Sequence, residues 1–201
     1  IRAQEAAAHM ARWPKDERVC IAPKPNAAMA ETLHDIWGFA PLMTRRYAEF
    51  MAFTQGIHPD AAGPYVNLRH FVELHTMLRC RTFFTEENGR LKAHNAARVL
   101  PRVLLVGNYR CLRDRDALFR AMAERDFDPA AEVLLEQEPA PRPTGRMGHG
   151  AAEVVAETTD SLTIQVETDV PAILLITDAY ARDWRARPLT PGPQKTYDLL
   201  P

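Results

Sequence analysis

One serine stands in 201 residues: Ser161, which follows Asp160 between two apolar stretches. No Gly-x-Ser-x-Gly nucleophile elbow exists, and Ser161 reads as a hairpin-turn residue. Cysteine is scarce too. Cys20, Cys80 and Cys111 lie 60 and 31 residues apart, spacings that match no zinc knuckle or CxxC pair. All three fall within apolar or strand-like patterns, which disfavours a reactive thiol. They read as small buried apolar residues, with a Cys80–Cys111 disulfide as the open alternative because both sit on expected strands. No run approaches the roughly 20 apolar residues that cross a bilayer. No charge sign dominates: 25 Lys and Arg face 26 Asp and Glu, for a formal net charge of -1. Nucleic acid is therefore not an expected partner. The start, Ile1-Arg2-Ala3-Gln4-Glu5, has neither an initiating Met nor the basic-then-apolar order of a signal peptide. The expectation is a piece of a larger protein.

Hydrophobic residues make up 46% and charged residues 25%, ordinary for a globular chain with a sizeable core. Residues 1–13 carry apolar side chains at helical spacing, ended by Pro14. Arg18-Val19-Cys20-Ile21 reads as a strand. Thr44 is placed to cap a helix through Gln55, with Tyr47, Phe50, Met51 and Thr54 inward and Gly56 at its end. Residues 68–77 read as a third helix, and residues 78–84 as a strand. Glu87-Asn88-Gly89 is turn chemistry, returning the chain through residues 90–94 as a hairpin. Residues 102–106 form another strand. Asp114 caps a helix to about Arg125, and residues 132–135 are a strand. Residues 138–151 are the one Pro/Gly-rich stretch, read as a linker or loop. Beyond it, Val154-Val155, residues 162–166 and residues 173–176 are strands with no helix between them.

The expected class is α+β: a mixed α/β part over 1–137, a linker over 138–151, and an antiparallel β-sandwich-like part over 152–201 that lacks its closing element.

Apparent motifs thin out when their chemistry is tested. His70 and His75 are one position too far apart for a helical zinc pair, about 140° round a helix from each other. They read as two partly exposed helix histidines, and no metal site or cofactor is expected. Gly145-Arg146-Met147-Gly148-His149-Gly150 has glycines but no strand before it and no clear helix after it, as a phosphate loop needs. Arg45-Arg46 and the basic run 110–115 have acids nearby and read as solvated ion-pair faces, with contact to a lipid phosphate as a minor alternative.

The densest cluster is Asp178, Tyr180, Asp183 and Trp184, just after the apolar run Ile173-Leu174-Leu175-Ile176. The structural expectation is that Asp178 sets a turn and Trp184 packs on the sandwich, so that Trp184→Ala costs on the order of 3–5 kcal/mol. The alternative is carbohydrate contact, because aromatic faces and carboxylates suit sugar hydroxyls. No residue is singled out as catalytic.

Several landmarks recur in order. Arg18-Val19 and Asn26 are followed by Asp35-Ile36-Trp37-Gly38-Phe39-Ala40-Pro41-Leu42, then Arg46-Tyr47-Ala48-Glu49-Phe50. Leu78-Arg79-Cys80-Arg81-Thr82-Phe83 stands where a strand with Arg-Tyr is expected, and Val99-Leu100-Pro101-Arg102-Val103 resembles a Leu-Pro-Arg strand start. Ile176-Thr177-Asp178-Ala179-Tyr180-Ala181-Arg182-Asp183-Trp184-Arg185-Ala186 resembles a Tyr-Pro-Gly-Trp turn. In this order, over roughly residues 17–187, the chain resembles the extracytoplasmic domain of YfhO-like bacterial membrane proteins, which are related to lipid-dependent type C glycosyltransferases. It departs from them where Arg182-Asp183 replaces Pro-Gly and Pro188-Leu189-Thr190 replaces Asp-Gly.

The resemblance implies a cell-membrane protein with this domain on the periplasmic side. It implies sugar transfer from a polyprenyl-phosphate donor, with the catalytic acid in a loop between membrane spans. The chain itself is then expected to be non-catalytic, an acceptor-binding or structural domain. Its partners would be its own transmembrane region and a glycan or lipid-linked sugar. A non-enzymatic cell-envelope interaction module is the alternative.

Overall fold

The computed structural model describes residues 2–38, 43–145, 148–190, 192 and 194–201. The chain is α+β, and it divides into two compact units, Ile1–Pro101 and Arg102–Pro201.

The first unit is built on a three-stranded sheet of order β1 (Arg18–Ile21), β2 (Cys80–Glu87), β3 (Arg90–Asn95). β1 runs parallel to β2, and β2 runs antiparallel to β3. Both faces of the β1–β2 pair are covered, which explains why Val19-Cys20-Ile21 of β1 is an unbroken apolar run. One face carries Val19, Ile21 and Phe84 against α1 (Arg2–Met10), where Ala6 and Met10, four residues apart, are buried. The other carries Cys20, Cys80 and Phe83 against α2 (Arg45–Thr54) and against Ile36 and Trp37. Gly56 follows α2 at φ +71, the left-handed conformation that closes a helix at least cost with glycine. Asn88 and Gly89, at φ +51 and +76, make the two-residue hairpin turn between Glu87 and Arg90.

Residues 68–77 depart from expectation. Residues 68–72 are irregular, and only Glu73–Leu78 coils, as a 3-10 helix. Side chains have taken the backbone groups a helix would use. Gln55 Oε1 accepts from Arg69 N at 2.8 Å and His70 N at 3.4 Å, and Gln55 Nε2 donates to His70 O. Val72 N donates to His75 Nδ1 at 3.3 Å. Local side-chain bonds of this kind compete directly with helix formation.

In the second unit β4 (Val103–Val106) pairs antiparallel with β9 (Ile173–Ile176). A strand expected in the first part thus joins the last one, and residues 138–151 lie inside the second unit. β5 (Asn108–Cys111) runs parallel to β6 (Glu132–Leu135) through α3 (Arg115–Met122), a βαβ crossover. Asp114 Oδ2 accepts from Ala117 N at 2.9 Å, capping α3 as expected. β7 (Gly150–Glu157) and β8 (Leu162–Thr168) form an antiparallel hairpin. Ser161 sits in its turn, its hydroxyl 2.8 Å from Thr158 Oγ1. Val103, Val106, Phe119, Ala121 and Leu135 are buried, whereas β9 is half-buried along its length. No helix among the described residues is long and apolar enough to cross a membrane.

Candidate functional site

The 178–184 segment begins two residues beyond β9, at the edge of the β4–β9 ribbon. Thr177 ties it down: its N–H and its hydroxyl both donate to Arg102 O, at 2.9 and 3.2 Å. Arg102 in turn reaches two carboxylates, donating from Nε to Asp178 Oδ2 at 3.1 Å and from Nη1 to Glu157 at the end of β7. Asp178 is therefore held as an ion-pair partner. The turn then forms around Arg182-Asp183, closed by Trp184 N donating to Ala181 O at 3.2 Å.

Trp184 corrects the structural expectation. It is 44% exposed and packs into no sandwich core. Its neighbour Asp183 is exposed and Tyr180 half-buried. Of the four cluster residues, Asp183 and Trp184 are open to solvent on one short turn, and Asp178 serves the scaffold.

The second unit also has a concave surface that no sequence motif marked. An open cleft of ≈680 Å³ lies beside the start of β5 and β6, with Asn108, Arg110, Glu124, Asp126, Phe127 and Glu132 among its lining residues. Arg110 Nη1 donates to Glu124 Oε2 at 2.6 Å and its Nε to Glu132 Oε2 at 2.7 Å. β5 holds Cys111, which the sequence places on a strand, but no partner for that strand was expected. The polar alternation Asn108, Arg110 opposite Glu132 was the available signal. The ion-pair reading of the basic run holds here for Arg110. It holds also for Arg115 with Asp116 at 3.1 Å and, in the first unit, for Arg45 with Glu49 at 2.8 Å.

The reactive groups of the first unit are buried. Cys20 and Cys80 are buried free thiols, and Cys111 of the second unit is a half-buried free thiol, so the Cys80–Cys111 disulfide is absent. Burial pushes the Cys20 and Cys80 thiols well above their ordinary range, with the Asp35 carboxylate adding to it. These are packing residues, and nucleophiles need the opposite shift. Asp35 lies on an isolated bridge to Val19. Its Oδ1 accepts from Trp37 N at 3.1 Å, and its buried Oδ2 has no partner among the described residues. Desolvation raises it to about 7 against the pull of the Trp37 and Ile36 amides.

His75, expected to be partly exposed, is 0% exposed, while His70 is exposed. Its bonds define its tautomer. Nδ1 accepts from Val72 N, so Nε2 carries the proton toward Thr54 Oγ1 at 3.1 Å, and Thr54 donates onward to Met51 O at 2.7 Å. The ring stacks on Phe83 at 5.4 Å, and burial lowers its pKa to about 4. It is a satisfied core histidine, unsuited to proton transfer with a ligand.

Among the described residues no group of three His, Cys, Asp or Glu is placed to hold a metal ion. The chain matches no protein-family model, no curated protein and no solved structure.

Proposed function

We propose that this chain is an extracytoplasmic domain of a polytopic membrane protein of the YfhO-like, type C glycosyltransferase-related kind, and that it engages a glycan acceptor without carrying out chemistry itself. The ordered landmarks over residues 17–187 support the kinship. The observation that carries the glycan reading is Trp184: a large aromatic ring left exposed beside Asp183 on a turn whose stem is anchored through Thr177 and Arg102. An exposed ring has little to contribute to folding, and a rigid one is suited to stacking on a pyranose.

The domain reading is tested by topology. In cells expressing the full-length protein with Cys111→Ala and Asp183→Cys, a membrane-impermeant maleimide is expected to label residue 183 without lysis; Cys20 and Cys80 are buried and stay silent. Labelling only after permeabilisation overturns the placement. The reading also requires that the full reading frame carry about ten or more apolar spans with an acidic residue in the first extracytoplasmic loop. A single anchor would favour the interaction-module alternative.

Trp184→Ala separates the turn's two roles. Stability is expected to change by no more than about 0.5 kcal/mol, as for an exposed position, while affinity for oligosaccharides falls at least tenfold. A fall in melting temperature with unchanged glycan binding would return Trp184 to a packing role.

A further inference from the structure

The β5–β6 cleft has a chemistry of its own. Its volume, ≈680 Å³, lies within the range of pockets that hold small organic ligands. Arg110 is fixed between Glu124 and Glu132 by two short charge-assisted bonds, so three planar polar groups stand side by side in set orientations. Asn108 shares Arg110's face of β5, two residues away, and adds a fourth planar group. The half-buried Phe127 adds an aromatic surface.

The Asn108 amide and the carboxylates that Arg110 holds in place present donors and acceptors, which match neighbouring hydroxyls on a pyranose. The ring's C–H face then needs an apolar plane. Charge narrows the choice. Among the described lining residues Glu124, Asp126, Asp128 and Glu132 face one cation, Arg110. A phosphate or uronate entering the cleft meets like charge with its one guanidinium already committed. A hydroxyl or an ammonium meets acceptors.

We propose that this cleft binds an uncharged or amino-bearing oligosaccharide, and so takes the acceptor rather than the phosphate-bearing lipid donor. The inference rests on the glycan-engaging reading above and assigns it a second, chemically selective subsite.

The test is a calorimetric and heteronuclear NMR titration of the chain with neutral chito-, malto- and xylo-oligosaccharides, with de-N-acetylated chito-oligosaccharide, and with oligogalacturonate. At least one neutral sugar or the amino sugar is expected to bind and to shift amides of residues 108–110 and 124–132, while the polyuronate does not. The amino form is expected to weaken as salt rises. Asn108→Ala with Asp126→Ala is expected to lower affinity tenfold or more at unchanged melting temperature, both side chains being exposed. Binding lost in Trp184→Ala but untouched in the cleft variant overturns the cleft and leaves the turn standing. Equal binding of the polyuronate, or no shift at the cleft with any sugar, overturns it as well. The maleimide experiment contains no sugar, so failure of the domain reading is seen separately.

Discussion

Arg81→Ala is expected to destabilise the first unit by about 3–5 kcal/mol. The Arg81 and Glu17 side chains are 11% and 10% exposed, and they meet as a fork: Nε to Oε2 at 2.6 Å and Nη2 to Oε1 at 2.7 Å. Nη1 donates to Ala96 O at 2.7 Å, and the guanidinium lies 4.6 Å from the Trp13 ring centroid. One side chain thus joins the loop before β1, the stretch after β3 and the segment after α1. Truncation leaves Glu17 buried without its counter-charge, which costs more than the pair contributes. Arg81→Lys is expected to recover only part of the loss, because an ammonium cannot make the fork. Replacing both partners, with Arg81→Met and Glu17→Leu, is expected to recover most of it. Denaturant midpoints followed by fluorescence in a Trp184→Phe background measure all three. A loss below about 1 kcal/mol for Arg81→Ala would show the fork to be energetically idle.

Two buried groups in the same unit are expected to give it opposed pH dependences that conceal each other. His75 is lowered from 6.5 to about 4 by burial. Its contribution is fully present above its unfolded pKa and is lost as pH falls through about 4. Asp35 is raised from 3.8 to about 7, again by burial. Its contribution is fully present below its unfolded pKa and is lost as pH rises through about 7. At ~1.4 kcal/mol per pH unit, the shift corresponds over its window to about 3.5 kcal/mol for His75 and about 4.5 kcal/mol for Asp35. Between about pH 4 and 6.5 the unfolded chain gains one proton at His75 and lacks one at Asp35, so the slopes cancel.

Wild-type stability should therefore be nearly flat over that range. Asp35→Asn is expected to uncover a loss of stability on acidification from 6.5 to 4. His75→Gln is expected to uncover a loss on raising the pH from 4 to 7. Midpoints at half-unit pH steps decide it: if both variants stay as flat as the wild type, neither group is shifted in the folded state.

Much of the chain's local structure was legible because its signals are local. Asn88-Gly89 demands positive φ at two positions, Asp114 offers an oxygen to the third residue after it, and Gly56 accepts φ +71. Apolar runs at residues 18–21, 132–135 and 173–176 became strands with the expected bounds. Where the reading missed, the competitor lay far along the chain. Residues 68–72 have helical spacing, but Gln55, 14 and 15 positions earlier, takes the amides of Arg69 and His70. The misplaced exposure of His75 follows from the same loop, since the ring is pulled inward to Val72, Thr54 and Phe83.

The site divides in the same way. Composition and spacing alone determined that the chain is α+β, carries no nucleophile elbow or zinc spacing, and concentrates aromatics and carboxylates at 178–184. Those are properties of residue types and short separations. Only the tertiary structure decided that Val103–Val106 pairs with Ile173–Ile176, that Asp178 is held by Arg102, that Trp184 faces solvent, and that Arg110, Glu124 and Glu132 converge on a cleft. The pairings among these join partners 14 to 76 residues apart. Strand pairing and ion-pair choice are made by the packing of the whole unit, which no local pattern encodes.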